Sequence, residues 1–235
     1  MPKALGSLLL IFALALTALV AVPSAANPAG VIVLFGAKGG THLTLTTEGD
    51  KIIARGQMAE AQPIGCRLSA NRMLASCPID RAGAIELDMG PGGDFVEVAD
   101  PMPFAVIAHL GAGSDKFIGN DEPDTCYSEG SRRNRCIGRG GDDVCITGQK
   151  NSDCVGGPGD DYCKTGAGSD GCWGNAGNDI CIMGPGEDGC HGGPGNDRLY
   201  GGAGRDQLYG GTGFDYCDGG PGWGQSHGCE AGPRR

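Results

Sequence analysis

Beyond residue 30 the apolar positions fall into two regimes. From Asn27 to Asp88 they form short strand-like runs: Val31 to Phe35 is continuous, His42 to Thr47 alternates, and Lys51 to Arg55 follows a turn at Glu48-Gly49-Asp50. Ile85 to Asp88 alternates again, and Cys66 and Cys77 flank a predicted hairpin with its tip at Ser69-Ala70-Asn71. No segment here has the spacing of an amphipathic helix.

From about residue 89 the apolar positions become rare and periodic. One inward-facing residue recurs every nine: Cys136, Cys145, Cys154, Cys163, Cys172, Cys181, Cys190, Leu199, Leu208, Cys217. Two residues before each from Cys145 onward stands a second column, Asp143, Ser152, Asp161, Asp170, Asp179, Asp188, Asp197, Asp206, Asp215. Glycine columns lie two and four residues ahead of the aspartates, broken by Lys150 in the nearer and by Arg139 and Asn175 in the farther. The consensus is G-G-x-G-x-D-x-U-x, with U apolar or Cys, and Gly192 to Tyr200 is its cleanest copy. The array is regular over 136–218 and degenerate from 89 to about 135, with weaker copies at Asp94 and Asp115 and a one-residue slip near Asp124. Residues 219–235 form a predicted cap and tail.

Composition agrees with a fold that has little conventional core. Glycine supplies 46 of 235 residues, nearly three times the usual share of about 7%. Aromatics are scarce at 6%. The formal charge of -10 argues against nucleic acid and anionic membranes as partners and is compatible with cations.

The nine-residue unit resembles the hemolysin-type calcium-binding repeat, the RTX nonapeptide. The resemblance spans roughly 89–218, and the strand-rich segment before it is similar to the leaders of other secreted repeat proteins. It implies an all-β fold, a parallel β-roll (right-handed β-solenoid of nonapeptide repeats) preceded by a small strand-rich N-terminal region.

The chemistry can also be argued from the residues. Glycine admits backbone conformations closed to residues with a Cβ, so a six-residue turn can curl and aim carbonyl oxygens inward. The Asp at its end adds a carboxylate, and Ca²⁺ takes six to eight oxygens. Two turns and two three-residue strands make one coil of eighteen residues, so turns eighteen apart stack at the strand spacing. The predicted ion-bridging pairs are Asp143/Asp161, Asp161/Asp179, Asp179/Asp197 and Asp197/Asp215 on one edge, with Asp170/Asp188 and Asp188/Asp206 on the other. Ser152 and Gly224 lack a carboxylate, which leaves about six Ca²⁺ sites.

The cysteines depart from the family pattern, which prefers Leu, Ile or Val inward. One ladder holds Cys136, Cys154, Cys172 and Cys190; the other holds Cys145, Cys163 and Cys181, with Cys126 one residue out of phase. Disulfides along a ladder, disulfides across the thin core, a reduced core and a soft-metal thiolate site for Zn²⁺ or Cu(I) are the alternatives. Cys66/Cys77 and Cys217/Cys229 read as local disulfides, the second closing the open end of the solenoid.

Residues 1–26 read as a signal peptide: Lys3, an uncharged run from Leu8 to Val22, and small residues at Ser24-Ala25-Ala26. The expected location is extracellular, where disulfides persist. No catalytic constellation emerges. Gly224-Gln225-Ser226-His227-Gly228 matches G-x-S-x-G but lacks the surrounding α/β pattern. His42, His109, His191 and His227 have no ligand spacing, and no H-E-x-x-H is present. Two functions follow: a secreted Ca²⁺-binding module, or a disulfide-stabilised solenoid that holds an extracellular protein or polysaccharide on a flat face.

Overall fold

The computed structural model describes residues 31–36, 39–62, 67–68, 74–78, 84–130, 132–222 and 224–232. The predicted signal peptide, Cys66 and the hairpin tip lie outside the described residues. Within them the fold is all-β, a parallel β-solenoid with an antiparallel N-terminal region and no helix.

Two long sheets face each other across a thin core. The first runs through Val31–Gly36, Ala84–Asp88, Val106–His109, Thr125–Ser128, Val144–Thr147, Tyr162–Lys164, Ile180–Ile182, Arg198–Tyr200 and Tyr216–Asp218, all parallel to their neighbours. The second runs from His42–Glu48 through Phe95–Val98 to Gln225–His227 and is likewise parallel. The chain crosses from one sheet to the other at each glycine-rich turn.

Parallel stacking starts upstream of the repeats. Val31–Gly36 lies on Ala84–Asp88, and His42–Glu48 lies on Phe95–Val98. The change of composition near residue 89 therefore has no matching break in the sheets. Between these strands the chain makes an antiparallel excursion: Met58–Gln62 covers the outer edge of the first sheet, while Lys51–Arg55, Leu74–Pro78 and Arg67–Leu68 extend the second. These strands shield an end that would otherwise expose unpaired backbone.

The core is a pair of one-residue-wide ladders. In the first sheet Leu34, Leu87, Ala108, Cys126, Cys145, Cys163, Cys181, Leu199 and Cys217 stack in register. In the second, Leu43, Val96, Phe117, Cys136, Cys154, Cys172, Cys190 and Leu208 do the same. Every residue of both ladders is buried. Strand alternation dictates this, because a three-residue strand points only its middle side chain inward.

Cys126 joins its ladder one residue out of phase, as expected. It pairs in register with Cys145, nineteen residues on. The extra residue is taken up in the loop between Ser128 and Arg135, so the sequence slips while the sheet does not.

The cysteines join across the core and not along a ladder. The disulfides are Cys126–Cys136, Cys145–Cys154 and Cys181–Cys190, with Cα separations of 6.2, 6.1 and 6.7 Å. Parallel side chains stacked in one sheet diverge poorly for bonding, whereas inward-facing residues of opposite sheets point at one another. Cys217–Cys229 closes the C-terminal end, and Cys77 is also disulfide-bonded.

Outside, the second sheet carries a ladder of rings. Trp173, His191, Tyr209 and His227 stack in order, with centroids 6.2, 4.6 and 5.2 Å apart and planes within 18°. In-register strands repeat the same outward position every eighteen residues, which brings these side chains face to face.

Candidate metal centre

The turn aspartates are the most regular feature of the molecule. Asp143, Asp161, Asp170, Asp179, Asp188, Asp197, Asp206 and Asp215 are all at most 5% exposed. The glycine-rich turn curls its terminal carboxylate under its own backbone, so the side chain lies inside the curl.

Each carboxylate divides its oxygens between two tasks. Oδ1 accepts the backbone N–H of the equivalent residue one coil earlier. On one edge Asp161 takes the N–H of Asp143, Asp179 that of Asp161, Asp197 that of Asp179, and Asp215 that of Asp197, at 2.8–2.9 Å. On the other edge Asp170 takes the N–H of Ser152, Asp188 that of Asp170, and Asp206 that of Asp188, at 2.7–3.1 Å. All six pairs expected from the eighteen-residue spacing are stacked and joined in this way. Oδ2, in contrast, is buried and has no hydrogen-bond partner in any of the eight.

An orphaned, buried carboxylate oxygen is costly, so each one calls for a partner. Oδ2 lies beside the first glycine of its own turn: a Cβ on Gly156 would stand 1.9 Å from Oδ2 of Asp161, and one on Gly192 would stand 2.1 Å from that of Asp197. The glycine leaves the space into which this oxygen is aimed. Carbonyls gather nearby. A Cβ on Gly193 would meet the Asn175 carbonyl oxygen of the coil before at 1.9 Å, at a φ of +125°. Consecutive turns therefore approach backbone to backbone, with carboxylate and carbonyl oxygens concentrated in the crevice. This oxygen-only donor set is one that a hard divalent cation fits.

Burial pushes the carboxyl groups of Asp143, Asp161, Asp170, Asp179, Asp188, Asp197 and Asp206 up in pKa. Desolvation is the main cause, opposed by the N–H bond to Oδ1 and reinforced by neighbouring carboxylates. Asp143 is raised to about 8, Asp161 and Asp188 to about 7, and Asp179 to about 6. Asp170, Asp197 and Asp206 are raised for the same leading reason. A positive charge in the crevice would reverse that balance.

The weaker copies share the geometry. Asp94 accepts the N–H of Thr41, and Asp115 that of Asp94, and both keep an orphaned Oδ2. Asp124 differs, since its Oδ2 takes the N–H of Asn120. Ser152, the gap in the column, turns its hydroxyl to the Lys150 carbonyl.

Two features escaped the sequence reading. The position before the aspartate forms a second, exposed ladder that runs the other way. The N–H of Asp160 bonds Oδ1 of Asp142, Asn178 bonds Asp160, Asn196 bonds Asn178, and Phe214 bonds Asn196. Successive N–H groups of one turn thus grip the coil below and the coil above. Its signal was the Asp-Asp or Asn-Asp dipeptide in those turns. The other feature is Glu230, whose Oε2 takes the N–H of Asp215 and ends the buried column.

Arg139 and Asn175, the exceptions in the glycine column, adopt φ values of +92° and +80°, as glycine would. Asn tolerates this region through its short polar side chain. Arg139 is held by bonds to the Val98 carbonyl and the Asp100 carboxylate, both at 3.0 Å.

Ser226 of the G-x-S-x-G match lies on the edge strand Gln225–His227, exposed, opposite Leu208. It occupies the last inward position of the second ladder among the described residues. Among the described residues, no helix is long and apolar enough to cross a membrane.

Comparison with known proteins agrees with the geometry. The hemolysin-type RTX calcium-binding nonapeptide repeat matches, in four copies, over residues 155–181 and 191–222. No curated protein and no solved structure matches the chain. The stacked aspartate turns over residues 155–181 and 191–222 of this solenoid are RTX calcium-binding nonapeptide repeats of the hemolysin type.

Proposed function

We propose that the protein is a secreted calcium-binding solenoid in which Ca²⁺ occupies the crevices between stacked turns and completes the fold. The ligands would be Oδ2 of Asp143, Asp161, Asp170, Asp179, Asp188, Asp197, Asp206 and Asp215, together with turn carbonyls. Six stacked pairs correspond to about six ions. The bound cation would neutralise carboxylates that burial otherwise disfavours. The role is one of binding and not of catalysis. Export after removal of residues 1–26 is consistent with the disulfides, which persist in oxidising compartments.

The observation that carries this reading is the repeated orphan, Oδ2 buried and unpartnered at every one of the eight positions. The test is a Ca²⁺ titration of the chelated mature protein, following circular dichroism and bound stoichiometry. Several ions per chain with a cooperative gain of β-structure are expected. A full β-signal under chelator, with no ion taken up on addition, would refute the reading.

One observation favours a second role on the same scaffold. The ring ladder Trp173, His191, Tyr209 and His227 makes a flat outer stripe, and Trp173 is 38% exposed. Such a face suits an extended extracellular polymer or protein. Quenching of Trp173 fluorescence by a candidate polymer, persisting under chelation, would separate this role from calcium binding.

A further inference from the structure

The third cross-core cysteine pair stands apart from its neighbours. Cys163 and Cys172 are both buried and both free thiols, the only free cysteines among the described residues. Cys163 stacks in register on Cys145 below and Cys181 above. Cys172 stacks in register on Cys154 below and Cys190 above. Those flanking residues form the disulfides Cys145–Cys154 and Cys181–Cys190. Cys163 and Cys172 thus occupy the missing rung of an otherwise continuous ladder, at the same nine-residue separation as the rungs on either side.

We propose that Cys163 and Cys172 are a disulfide-forming pair and that their oxidation completes four consecutive rungs from Cys126 to Cys190. The sheets are 6.1 and 6.7 Å apart, Cα to Cα, at the rungs below and above. An in-register pair between them falls inside the range that disulfides span, about 4.4–6.8 Å. The two sulfurs lie within 4.8 Å of each other. A narrow pocket whose lining includes Cys145, Cys154, Cys163 and Cys172 leaves space beside the pair. Bond formation removes two protons and two electrons from the thiols. A disulfide oxidant, either a small-molecule disulfide or a dithiol oxidoreductase, accepts them and becomes two thiols.

Burial also sets when this can happen. Both thiols are buried once the coils are stacked, so the oxidant reaches them while the chain is still open.

The competing occupant is a soft metal ion, because the sulfurs of Cys163, Cys172 and Cys181 all lie within 4.8 Å of one another. Cys181, however, is committed to Cys190, which leaves two thiols for a site that in zinc proteins takes four ligands.

The test uses the full mature chain produced in an oxidising compartment. It is unfolded in denaturant with a strong chelator and no reductant, treated with N-ethylmaleimide, and mapped by mass spectrometry. The proposal expects no alkylated cysteine and a cross-linked peptide joining Cys163 to Cys172 that separates on reduction. Alkylation of both residues would overturn it, as would cross-links of Cys163 to Cys145 or Cys181. Stoichiometric zinc or copper in the untreated protein, together with two alkylated thiols, would overturn it in favour of a metal site. The variant Cys163→Ser should expose one alkylatable thiol, Cys172, and melt at a lower temperature. If that variant fails to fold, the wild-type map still decides.

Discussion

Asp188 accepts the backbone N–H of Asp170 on one carboxylate oxygen and leaves the other buried without a partner. Structural bond and candidate ligand are thereby separated on a single side chain. Asp188→Asn keeps an acceptor for the Asp170 N–H and removes the charge. It should retain the stacked fold and lose calcium at the crevices it borders. Asp188→Ala removes both functions and leaves a buried donor unpaired, at a cost of about 1–3 kcal/mol. Calcium stoichiometry and denaturant melts of the two variants distinguish these effects; equal calcium binding by wild type and Asp188→Asn would dismiss Oδ2 as a ligand.

The raised carboxyl groups set a pH dependence. Asp143, at about 8, and Asp161 and Asp188, at about 7, bind protons in the folded state that the unfolded chain has already released. Between their ordinary value of 3.8 and these raised values the folded state holds more protons, so stability falls as pH rises. The chelated protein should melt at higher temperature near about pH 5 than near about pH 8. With calcium the order reverses, because the ion displaces those protons and binds more tightly at the higher pH. Melting curves at the two pH values, with and without calcium, check both signs.

The glycine columns give a paired prediction. A methyl group on Gly193 would strike the Asn175 carbonyl oxygen and meet a left-handed backbone, so Gly193→Ala should destabilise by more than about 1 kcal/mol. Asn175 holds a positive φ with a side chain present, and Asn175→Gly should be neutral or stabilising by less than about 1 kcal/mol. Thermal melts of the calcium-loaded protein compare the two. A Gly193→Ala variant as stable as wild type would mean that adjacent turns are not so closely packed.

The rungs and the leucines predict uneven stability along the array. Cys126 to Cys190 includes three cross-core disulfides, whereas the next coil is filled by Leu199 and Leu208, with Cys217–Cys229 only beyond it. Under chelation, backbone amides of 198–212 should exchange with solvent faster than those of 144–182. Hydrogen exchange by mass spectrometry reads this directly, and uniform exchange across both segments would contradict it.

The repeat half was legible because eighteen residues return the chain to the same place. Column arithmetic alone named the six stacked aspartate pairs and both cysteine ladders, and it identified Arg139 and Asn175 as glycine substitutes. What it missed depends on direction or on long-range pairing. Nothing in the periodicity says that Cys145 meets Cys154 across the core instead of Cys163 along the sheet, because both are compatible with the spacing. The docking of Val31–Gly36 on Ala84–Asp88 spans an aperiodic insertion, so no local pattern announces it. Glu230 ends the aspartate column from outside the repeat register, where a column search does not look. The two roles of each carboxylate required a view of the neighbouring coil.

The Asp143 to Asp215 column also has a polarity in time. Each buried N–H finds its acceptor about eighteen residues farther toward the C-terminus, and the last finds Glu230. A chain that emerges N-terminus first therefore always presents a newest coil whose buried donor lacks an acceptor, until Glu230 arrives. Growth from the N-terminal end leaves one donor open at every step, and the arrival of Glu230 satisfies the last of them, that of Asp215. The stack is built to be finished from the end made last.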